Sequence, residues 1–259
     1  MNRKIFVTGA TSGIGLECAR AFAKDGDHLL LAGRRADRLV AIKEDFEQQY
    51  GIRVDTLVLD VSKREDVESK VKPAIESFGG IDVLVNNAGF GDCGKFYETD
   101  LEKDISMINT NILGLHVLTK LFLKDMVKVN SGYILNVASI AGFMPGPLMA
   151  TYYSTKAYVV RLTRAIAKEL KSVNSKVRIA AYCPGPVDTE FNNNANVTFS
   201  LKGQSSSDVA RIGVKGLLKS KKVVYFSSSL IRIVAFLAKI MPESFMANQA
   251  FRTQKKKLR

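Results

Sequence analysis

Two residues, Tyr152 and Lys156, have the types and the spacing needed for proton transfer to an oxygen atom of a bound molecule. They are four residues apart in a segment, 151–171, whose apolar spacing predicts a helix, so both side chains lie on one helical face. A phenol with its ordinary pKa near 10 transfers protons poorly at neutral pH, and a neighbouring ammonium group lowers that pKa. The pair indicates general acid–base chemistry, with Tyr153, three residues before Lys156, as an alternative partner.

A glycine-rich run at residues 8–15, Thr-Gly-Ala-Thr-Ser-Gly-Ile-Gly, indicates a phosphate-binding loop. It directly follows an apolar run of strand type and opens a predicted helix at 13–24. Glycine permits a tight turn and close approach of a phosphate to the backbone, and the free N–H groups at a helix start attract an anion. The order strand, loop, helix therefore predicts a nucleotide site.

The end of the second predicted strand carries two arginines, Arg34 and Arg35. In dinucleotide sites an acidic residue about 20 positions beyond the loop accepts hydrogen bonds from the adenosine ribose. A carboxylate would repel a 2′-phosphate, whereas an arginine fork binds one with two hydrogen bonds. The two arginines predict NADP(H) in preference to NAD(H), and solvated charges at the start of a helix are the alternative interpretation.

The elements that must position these residues alternate between strands and helices. Apolar runs predict strands at 5–8, 29–32, 54–59, 83–85, 133–137, 177–182 and 223–226, with helical spacing between most of them at 13–24, 38–50, 64–78, 101–129 and 151–171. Nearly continuous apolar strands separated by helices are typical of a parallel sheet covered on both faces. We predict an α/β, doubly wound, mostly parallel seven-stranded sheet (a Rossmann fold) whose ligand lies beyond the carboxyl ends of the strands.

The loop spacing Thr-Gly-x-x-x-Gly-x-Gly and the Tyr-x-x-x-Lys pair resemble motifs of the short-chain dehydrogenase/reductase family. Further elements follow in that family's order: Asn-Asn-Ala-Gly at 86–89, Ser139 at 13 residues before Tyr152, and Pro-Gly at 184–185. The resemblance spans residues 4–226. It implies reversible reduction of a ketone or aldehyde with a nicotinamide cofactor.

The resemblance also implies a role for each candidate catalytic residue. Tyr152 is the general acid and base, Lys156 lowers its pKa and holds the nicotinamide ribose, and Ser139 orients the substrate oxygen near Tyr152. Asn111 supports a proton relay through water bound at a kinked helix, and it fits the family's Asn-x-x-Gly element better than Asn109 does.

The residues expected to bind the cofactor lie mainly in loops at strand ends. By resemblance, Asp60 lies beside the adenine, the main chain near Val187 contacts the nicotinamide carboxamide, and Thr189 contacts the carboxamide or the pyrophosphate. Asn86 is expected to brace the sheet instead. The predicted cofactor set is Gly9, Ser12, Gly13, Ile14, Gly15, Arg34, Arg35, Asp60, Val61, Asn87, Ala88, Gly89, Tyr152, Lys156, Pro184, Gly185, Val187 and Thr189.

The predicted substrate site is apolar. A polar segment at about 190–207 is a candidate substrate lid, with an ordinary surface loop as the alternative. The apolar residues expected beside it are Met144, Pro145, Pro147, Leu148 and Met149. They favour a lipid-like carbonyl substrate, steroid or fatty, over a small 3-hydroxy acid or a sugar. The alternative to an enzyme is a non-catalytic regulatory protein that binds NADP(H).

The positive charge is concentrated at one end of the chain. Residues 210–259 contain 12 Lys and Arg residues and one acidic residue, whereas the other 209 residues contain 26 basic and 24 acidic ones. A serine start at Ser229, a proline stop at Pro242 and apolar positions between them predict a helix over 229–242. We divide the chain into a single reductase domain, 1–228, and an amphipathic helix with a basic tail, 229–259.

Peripheral attachment to an anionic membrane surface is one interpretation of this C-terminal segment. Packing of the helix on the main body, or against a second copy of the chain, is the alternative. Nucleic acid is not an expected partner, because the basic tail lacks the interleaved aromatic residues that stack on bases.

Composition narrows the setting further. The three cysteines are far apart and the two histidines stand alone, so we expect no metal site and no disulfide scaffold. No apolar run approaches 18 residues, and the first residues lack the apolar stretch of a signal peptide. We expect a cytoplasmic protein, and the family resemblance implies a homodimer or homotetramer built through helices near 101–129 and 151–171.

Overall fold

A computed structural model describes residues 2–188, 190–191 and 203–256. Its strands form one parallel sheet of seven in the order β3-β2-β1-β4-β5-β6-β7, which confirms the predicted fold class. The strands are β1 (Lys4–Thr8), β2 (His28–Gly33), β3 (Val54–Val58), β4 (Val83–Asn86), β5 (Tyr133–Val137), β6 (Arg178–Cys183) and β7 (Val224–Phe226).

Helices lie between and after the strands. Those described are α1 (Gly13–Lys24), α2 (Ala36–Tyr50), α3 (Arg64–Phe78), α4 (Leu101–Ile108), α5 (Leu115–Lys128), α6 (Ala150–Ser172), α7 (Ser206–Lys219), α8 (Ser229–Ile240) and α9 (Glu243–Lys255), with a π-helical segment at Asn109–Gly114 and a 3₁₀ turn at Ile140–Phe143. The single helix predicted at 101–129 is therefore interrupted by a π-helical segment, and α9 was not predicted at all.

The central strands are apolar throughout because both faces of the sheet are buried. In β1, Ile5 and Val7 join the core formed with α1, α2 and α7. Phe6, which points to the opposite face, joins the core formed with α3, α5 and α6. This alternation of successive side chains accounts for the absence of a polar stripe in the strand.

The site is positioned where the strand order reverses. β1 pairs with β2 on one side and with β4 on the other, so the loops after β1 and β4 diverge at the carboxyl edge of the sheet. In doubly wound sheets this divergence opens a crevice that binds ligands.

The predicted lid at 190–207 lies largely outside the described residues. At its described end, Gln204 bridges to Val187 and the helix α7 begins at Ser206, so the last positions of the predicted loop belong to a helix. The predicted C-terminal helix is confirmed as α8. No helix among the described residues is long and apolar enough to cross a membrane.

Candidate active site

The glycine-rich loop packs tightly against the end of β4. Gly9 has a φ of +63°, and a Cβ atom there would lie 2.9 Å from the Cα atom of Ala88. A Cβ atom on Gly15 would lie 2.3 Å from the Gly9 carbonyl oxygen. Both positions therefore require glycine, and the start of α1 is brought directly to the edge of the crevice.

Asn87 and Thr8 fix the shape of this loop. The Asn87 side-chain amide donates to the Thr8 and Gly9 carbonyl oxygens at 3.1 and 3.2 Å. The Thr8 hydroxyl in turn accepts from the backbone N–H groups of Asn87 and Ala88. Asn86 points into the sheet, where it is buried and donates to Thr119 and Asn136, as expected for a bracing residue.

The predicted catalytic side chains converge at the carboxyl end of β5. Ser139 caps the 3₁₀ turn, its hydroxyl accepting from the Ala141 N–H at 3.2 Å. The Lys156 ammonium donates to the Val137 carbonyl oxygen at 2.9 Å and lies 5.9 Å from the centre of the Tyr152 ring. Because α6 begins at Ala150, Tyr152 and Lys156 occupy successive turns of its first part and face the crevice together.

Burial controls the pKa values of this pair. It raises the pKa of Tyr152 to about 12, and the interaction with the Ser139 hydroxyl offsets part of that rise. It lowers the pKa of Lys156 to about 8. The expected lowering of the Tyr152 pKa by Lys156 is therefore not found in this geometry, since desolvation of the phenol outweighs it. With this pKa the Tyr152 phenol keeps its proton at neutral pH and has one to donate.

Asn111 lies in the π-helical segment, and its side chain is fully used by the protein. Its amide oxygen accepts from the Phe90 N–H at 3.0 Å, and its amide nitrogen donates to the Phe90 carbonyl and the Thr155 hydroxyl at 2.9 and 3.1 Å. Through these hydrogen bonds Asn111 links the loop after β4 to Thr155 of α6, the residue before Lys156.

An arginine cluster lies beside the glycine-rich loop. The Arg35 guanidinium donates to the Thr11 hydroxyl at 2.7 Å and the Ser12 hydroxyl at 3.0 Å. It also pairs with Glu190 at 2.9 Å, and Arg38 pairs with the same carboxylate at 2.6 Å. The two hydrogen-bonded guanidiniums lower the pKa of Glu190 to about 2, so it is an anion throughout the physiological range.

Arg38 and Glu190 were not predicted. Arg38 lies three residues after Arg35, in the first turn of α2, and this short spacing could have identified it. Glu190 comes from a segment 155 residues after Arg35, and no sequence signal links the two. Arg34, which was predicted, is exposed and lines the crevice.

The other predicted cofactor residues form the walls of the same crevice. Asp60 accepts from the N–H and hydroxyl groups of Ser62, which holds its carboxylate at the end of β3. The segment after β6 forms the opposite wall, with the Pro184 carbonyl accepting from the Ile140 N–H at 3.0 Å. Thr189 lies outside the described residues. The cavity has a volume of about 430 Å³, and the predicted residues that line it are Gly9, Ser12, Gly13, Ile14, Arg34, Arg35, Asp60, Val61, Asn87, Ala88, Gly89, Ser139, Tyr152, Lys156, Pro184, Gly185 and Val187.

Beyond Tyr152 the cavity becomes more apolar. Met149 lines it beside Phe191, whose ring centre lies 5.3 Å from that of Tyr152, and Leu148 packs with them. Of the five residues predicted for the apolar pocket, Met149 lines the cavity, whereas Met144, Pro145, Pro147 and Leu148 do not. Gln254 from α9 lines it instead.

The crevice fits a dinucleotide. At one end the glycine cradle leaves room for a phosphate at the start of α1, and at the other a phenol, a hydroxyl and an ammonium group face a cavity with apolar walls. Arg34 and Arg35 adjoin the cradle, where a further phosphate group would meet them.

Comparisons with known proteins agree with this architecture. The model of the family described as short chain dehydrogenase matches residues 3–198. An "NADP-dependent 3-hydroxy acid dehydrogenase" of Schizosaccharomyces pombe is 36% identical over 191 residues, covering 73% of each chain. A "very-long-chain 3-oxoacyl-CoA reductase" of Anas platyrhynchos is 34% identical over 215 residues, covering 82% of this chain and 68% of the relative.

Two solved structures illustrate the range of bound cofactors. An alcohol dehydrogenase from Thermococcus sibiricus complexed with 5-hydroxy-NADP is 32% identical, with a TM-score of 0.77 over 87% of this chain and 95% of that one. A short chain dehydrogenase/reductase from Burkholderia phymatum in complex with NAD is 24% identical, with a TM-score of 0.83 over 91% and 92% of the two chains, and shows the shared fold.

Proposed function

Because the chain belongs to the short-chain dehydrogenase family and is an oxidoreductase, we propose that it uses NADP(H) to interconvert a ketone or aldehyde and an alcohol. The observation that carries this proposal is the convergence of Tyr152, Ser139 and Lys156 on one cavity that continues into the glycine-rich loop. A non-catalytic regulator would not need this convergence.

With NADPH held in the crevice, its dihydronicotinamide would supply the hydride for the carbonyl carbon. The chain's own residues manage the proton and the orientation. Tyr152 donates its phenolic proton to the carbonyl oxygen, and the Ser139 hydroxyl hydrogen-bonds the same oxygen and orients it. The Lys156 ammonium lies beside the phenol and stabilises the negative charge that develops on it as the proton leaves.

The arginine cluster supports a preference for NADP(H). Glu190 is held between Arg35 and Arg38, so these two guanidiniums already bind an anion with two oxygen atoms. A 2′-phosphate presents the same chemistry, and Arg34 adds a third positive charge on the crevice wall. The S. pombe relative is named as NADP-dependent, which favours the same assignment.

We assign the substrate to an apolar or lipid-like class, because Met149 and Phe191 form the wall beside Tyr152. The name of the Anas relative, a very-long-chain 3-oxoacyl-CoA reductase, points in this direction. A small 3-hydroxy acid is the second candidate, and the name of the S. pombe relative favours it.

The test follows oxidation of NADPH and of NADH with long-chain ketones, a steroid ketone and a small 3-oxo acid. We expect turnover of an apolar ketone and a kcat/KM with NADPH at least about tenfold above that with NADH, because each charge-assisted hydrogen bond to the 2′-phosphate contributes about 1.5–3 kcal/mol. Arg34→Asp should remove most of that preference. Arg64→Asp, at an exposed position on α3, is the matched control of equal charge change.

Equal use of both cofactors by the wild type would reject the assigned preference. Failure of every carbonyl compound, with NADPH bound, would reject the enzymatic proposal.

We further propose that α8 attaches the protein to an anionic membrane surface. Leu230, Ile233, Phe236 and Ile240 each leave between 55% and 66% of their surface exposed, so α8 presents a broad apolar face outward. Residues 210–259 contain 12 basic residues and one acidic residue, and this positive charge supplies the attraction to anionic lipid. We propose a cytoplasmic enzyme that works at the membrane surface.

A homodimer or homotetramer is the proposed assembly. Leu101, Ile105 and Ile108 of α4 are exposed apolar residues on one of the two helical segments that the family uses for subunit contacts. Burial of these side chains against a second copy would remove them from water.

A further inference from the structure

The last helix of the chain contributes a side chain to the cavity. Helix α9 lies beyond the segment matched by the family model and buries Met246, Ala250 and Gln254, which are spaced at four-residue intervals along one face. Gln254 is 1% exposed and lines the cavity beside Tyr153. A polar side chain so deeply buried needs hydrogen-bond partners on both ends of its amide.

Among the described residues, only the nitrogen end of the Gln254 amide has such a partner. Its Nε2 atom donates to the Tyr153 hydroxyl oxygen at 2.5 Å. Its Oε1 atom is buried and has no hydrogen-bond partner among the residues that the structure describes. An unpaired buried acceptor is costly, and the cost is recovered when a donor group reaches it.

The Tyr153 contact places Gln254 close to the reacting group. The rings of Tyr152 and Tyr153 are 6.1 Å apart at an interplanar angle of 75°, and both pack in the cluster with Met149. Gln254 therefore adds a polar amide to a wall formed mainly by apolar side chains. The Tyr153 side chain lies between this amide and the phenol of Tyr152, which protonates the substrate.

The chemistry of the cavity selects the kind of donor. A carboxylate would be repelled by the free Oε1 atom. An ammonium group would find no charge to balance it there, because the cavity's Glu190 is already paired with Arg35 and Arg38. A neutral hydroxyl group donates to Oε1 and brings no charge into the apolar part of the site.

We propose that Gln254 is a specificity-determining residue that binds a hydroxyl group carried by the substrate at a distance from its carbonyl. The inference rests on the proposed function and narrows its substrate class to hydroxylated apolar ketones. Tyr153 acts as a positioning residue, because its hydroxyl fixes the amide with Oε1 free.

The experiment compares ketones that differ only by a terminal hydroxyl in place of a methyl group. One pair is 5-hydroxypentan-2-one and hexan-2-one, and a longer pair is 8-hydroxyoctan-2-one and nonan-2-one. The readout is the ratio of kcat/KM for the hydroxy ketone to that for the methyl ketone, with NADPH. For the wild type we expect a ratio of at least about 10 for one of the pairs, since a site built for a hydroxyl rejects the analogue that lacks it.

Gln254→Leu should bring this ratio below one, because the new side chain favours the methyl group. Gln249→Leu, at an exposed position on the same helix, is the matched control and should keep the wild-type ratio. Tyr153→Phe, which frees the amide, should lower the ratio part of the way. If Gln254→Leu does not fold, the ratio measured for Tyr153→Phe tests the role of Gln254. The affinity of each variant for NADPH shows whether that variant is folded.

Equal ratios in the wild type, Gln254→Leu and Tyr153→Phe would overturn the inference and leave the reductase proposal intact. Absence of turnover with every ketone, in a wild type that binds NADPH, would instead reject the proposed function and the inference with it.

Discussion

Lys156 is a buried cation, and its burial destabilises the folded chain. Burial lowers its pKa from an ordinary 10.5 to about 8, so the folded protein gives up this proton more readily than the unfolded chain does. Its main compensation is the hydrogen bond to the Val137 carbonyl. A residue kept at such a cost is expected where function requires the charge.

Lys156→Met should therefore stabilise the protein at neutral pH. Below pH 8 the wild type bears the full penalty of the buried charge, and the variant should be more stable by about 2 kcal/mol after loss of the Val137 hydrogen bond. As pH rises from 8 to 10.5 the unfolded chain binds more protons at this site than the folded one, so the wild type gains stability and the difference shrinks.

Urea unfolding at about pH 7 and about pH 10 measures both effects. Lys168→Met, at an exposed position on the same helix, should change stability by less than about 0.5 kcal/mol at either pH. A variant at position 156 that is no more stable than the wild type at neutral pH would contradict this account of the site.

Residue types and spacing predicted Tyr152, Ser139 and Lys156 because each lies at a fixed place relative to a strand end or helix start. They did not predict Gln254, which meets Tyr153 across 101 residues of sequence. The direction of the Tyr152 pKa shift was also missed, because burial of the phenol depends on packing that no local pattern records.

At the scale of elements, the strands were the most predictable, because a short continuous apolar run between helical segments identifies a strand that is buried on both faces. The break between α4 and α5 was not predicted, since a π-helical turn keeps the apolar spacing of an ordinary helix on either side of it. Helix α9 was missed because only one narrow stripe of it is buried, whereas its phenylalanines, Phe245 and Phe251, lie outside that stripe among polar and charged residues.

Helix α8 carries the prediction that belongs to this scale. Its exposed side chains Ile233 and Phe236 should insert into the membrane interface, so replacing both with serine should abolish binding to anionic vesicles. Flotation with vesicles of phosphatidylserine and phosphatidylcholine, and with phosphatidylcholine alone, provides the measurement. We expect the wild type to float with the anionic vesicles and to be released by salt.

The control replaces Val129 and Val173, which are 71% and 69% exposed elsewhere on the surface, with serine. This variant should float like the wild type. Flotation of the α8 variant to the same extent as the wild type, or no flotation of the wild type, would reject attachment through α8. A second copy of the chain would then become the favoured partner of this face.

For the molecule as a whole, the arrangement of the sheet explains why distant residues share one site. The glycine-rich loop follows β1, Asn87 follows β4, Ser139 follows β5 and Pro184 follows β6, so all four lie at the carboxyl edge of a parallel sheet. The strand order could be expected from the family motifs. The contribution of α9 to the cavity could not be expected from them, because it depends on the path of the chain after β7.

We propose Tyr152, one of two adjacent tyrosines, as the proton donor, and its substitution is the most direct test of this role. Tyr152→Phe should lower the rate of ketone reduction by about 10²–10⁴-fold, the usual contribution of a general acid, while NADPH affinity stays within about threefold of the wild type. Tyr158→Phe, on the same helix as Tyr152, removes the hydroxyl that contacts His116 of α5 and should retain wild-type turnover. Retention of turnover by Tyr152→Phe, with its loss in Tyr153→Phe, would contradict the account.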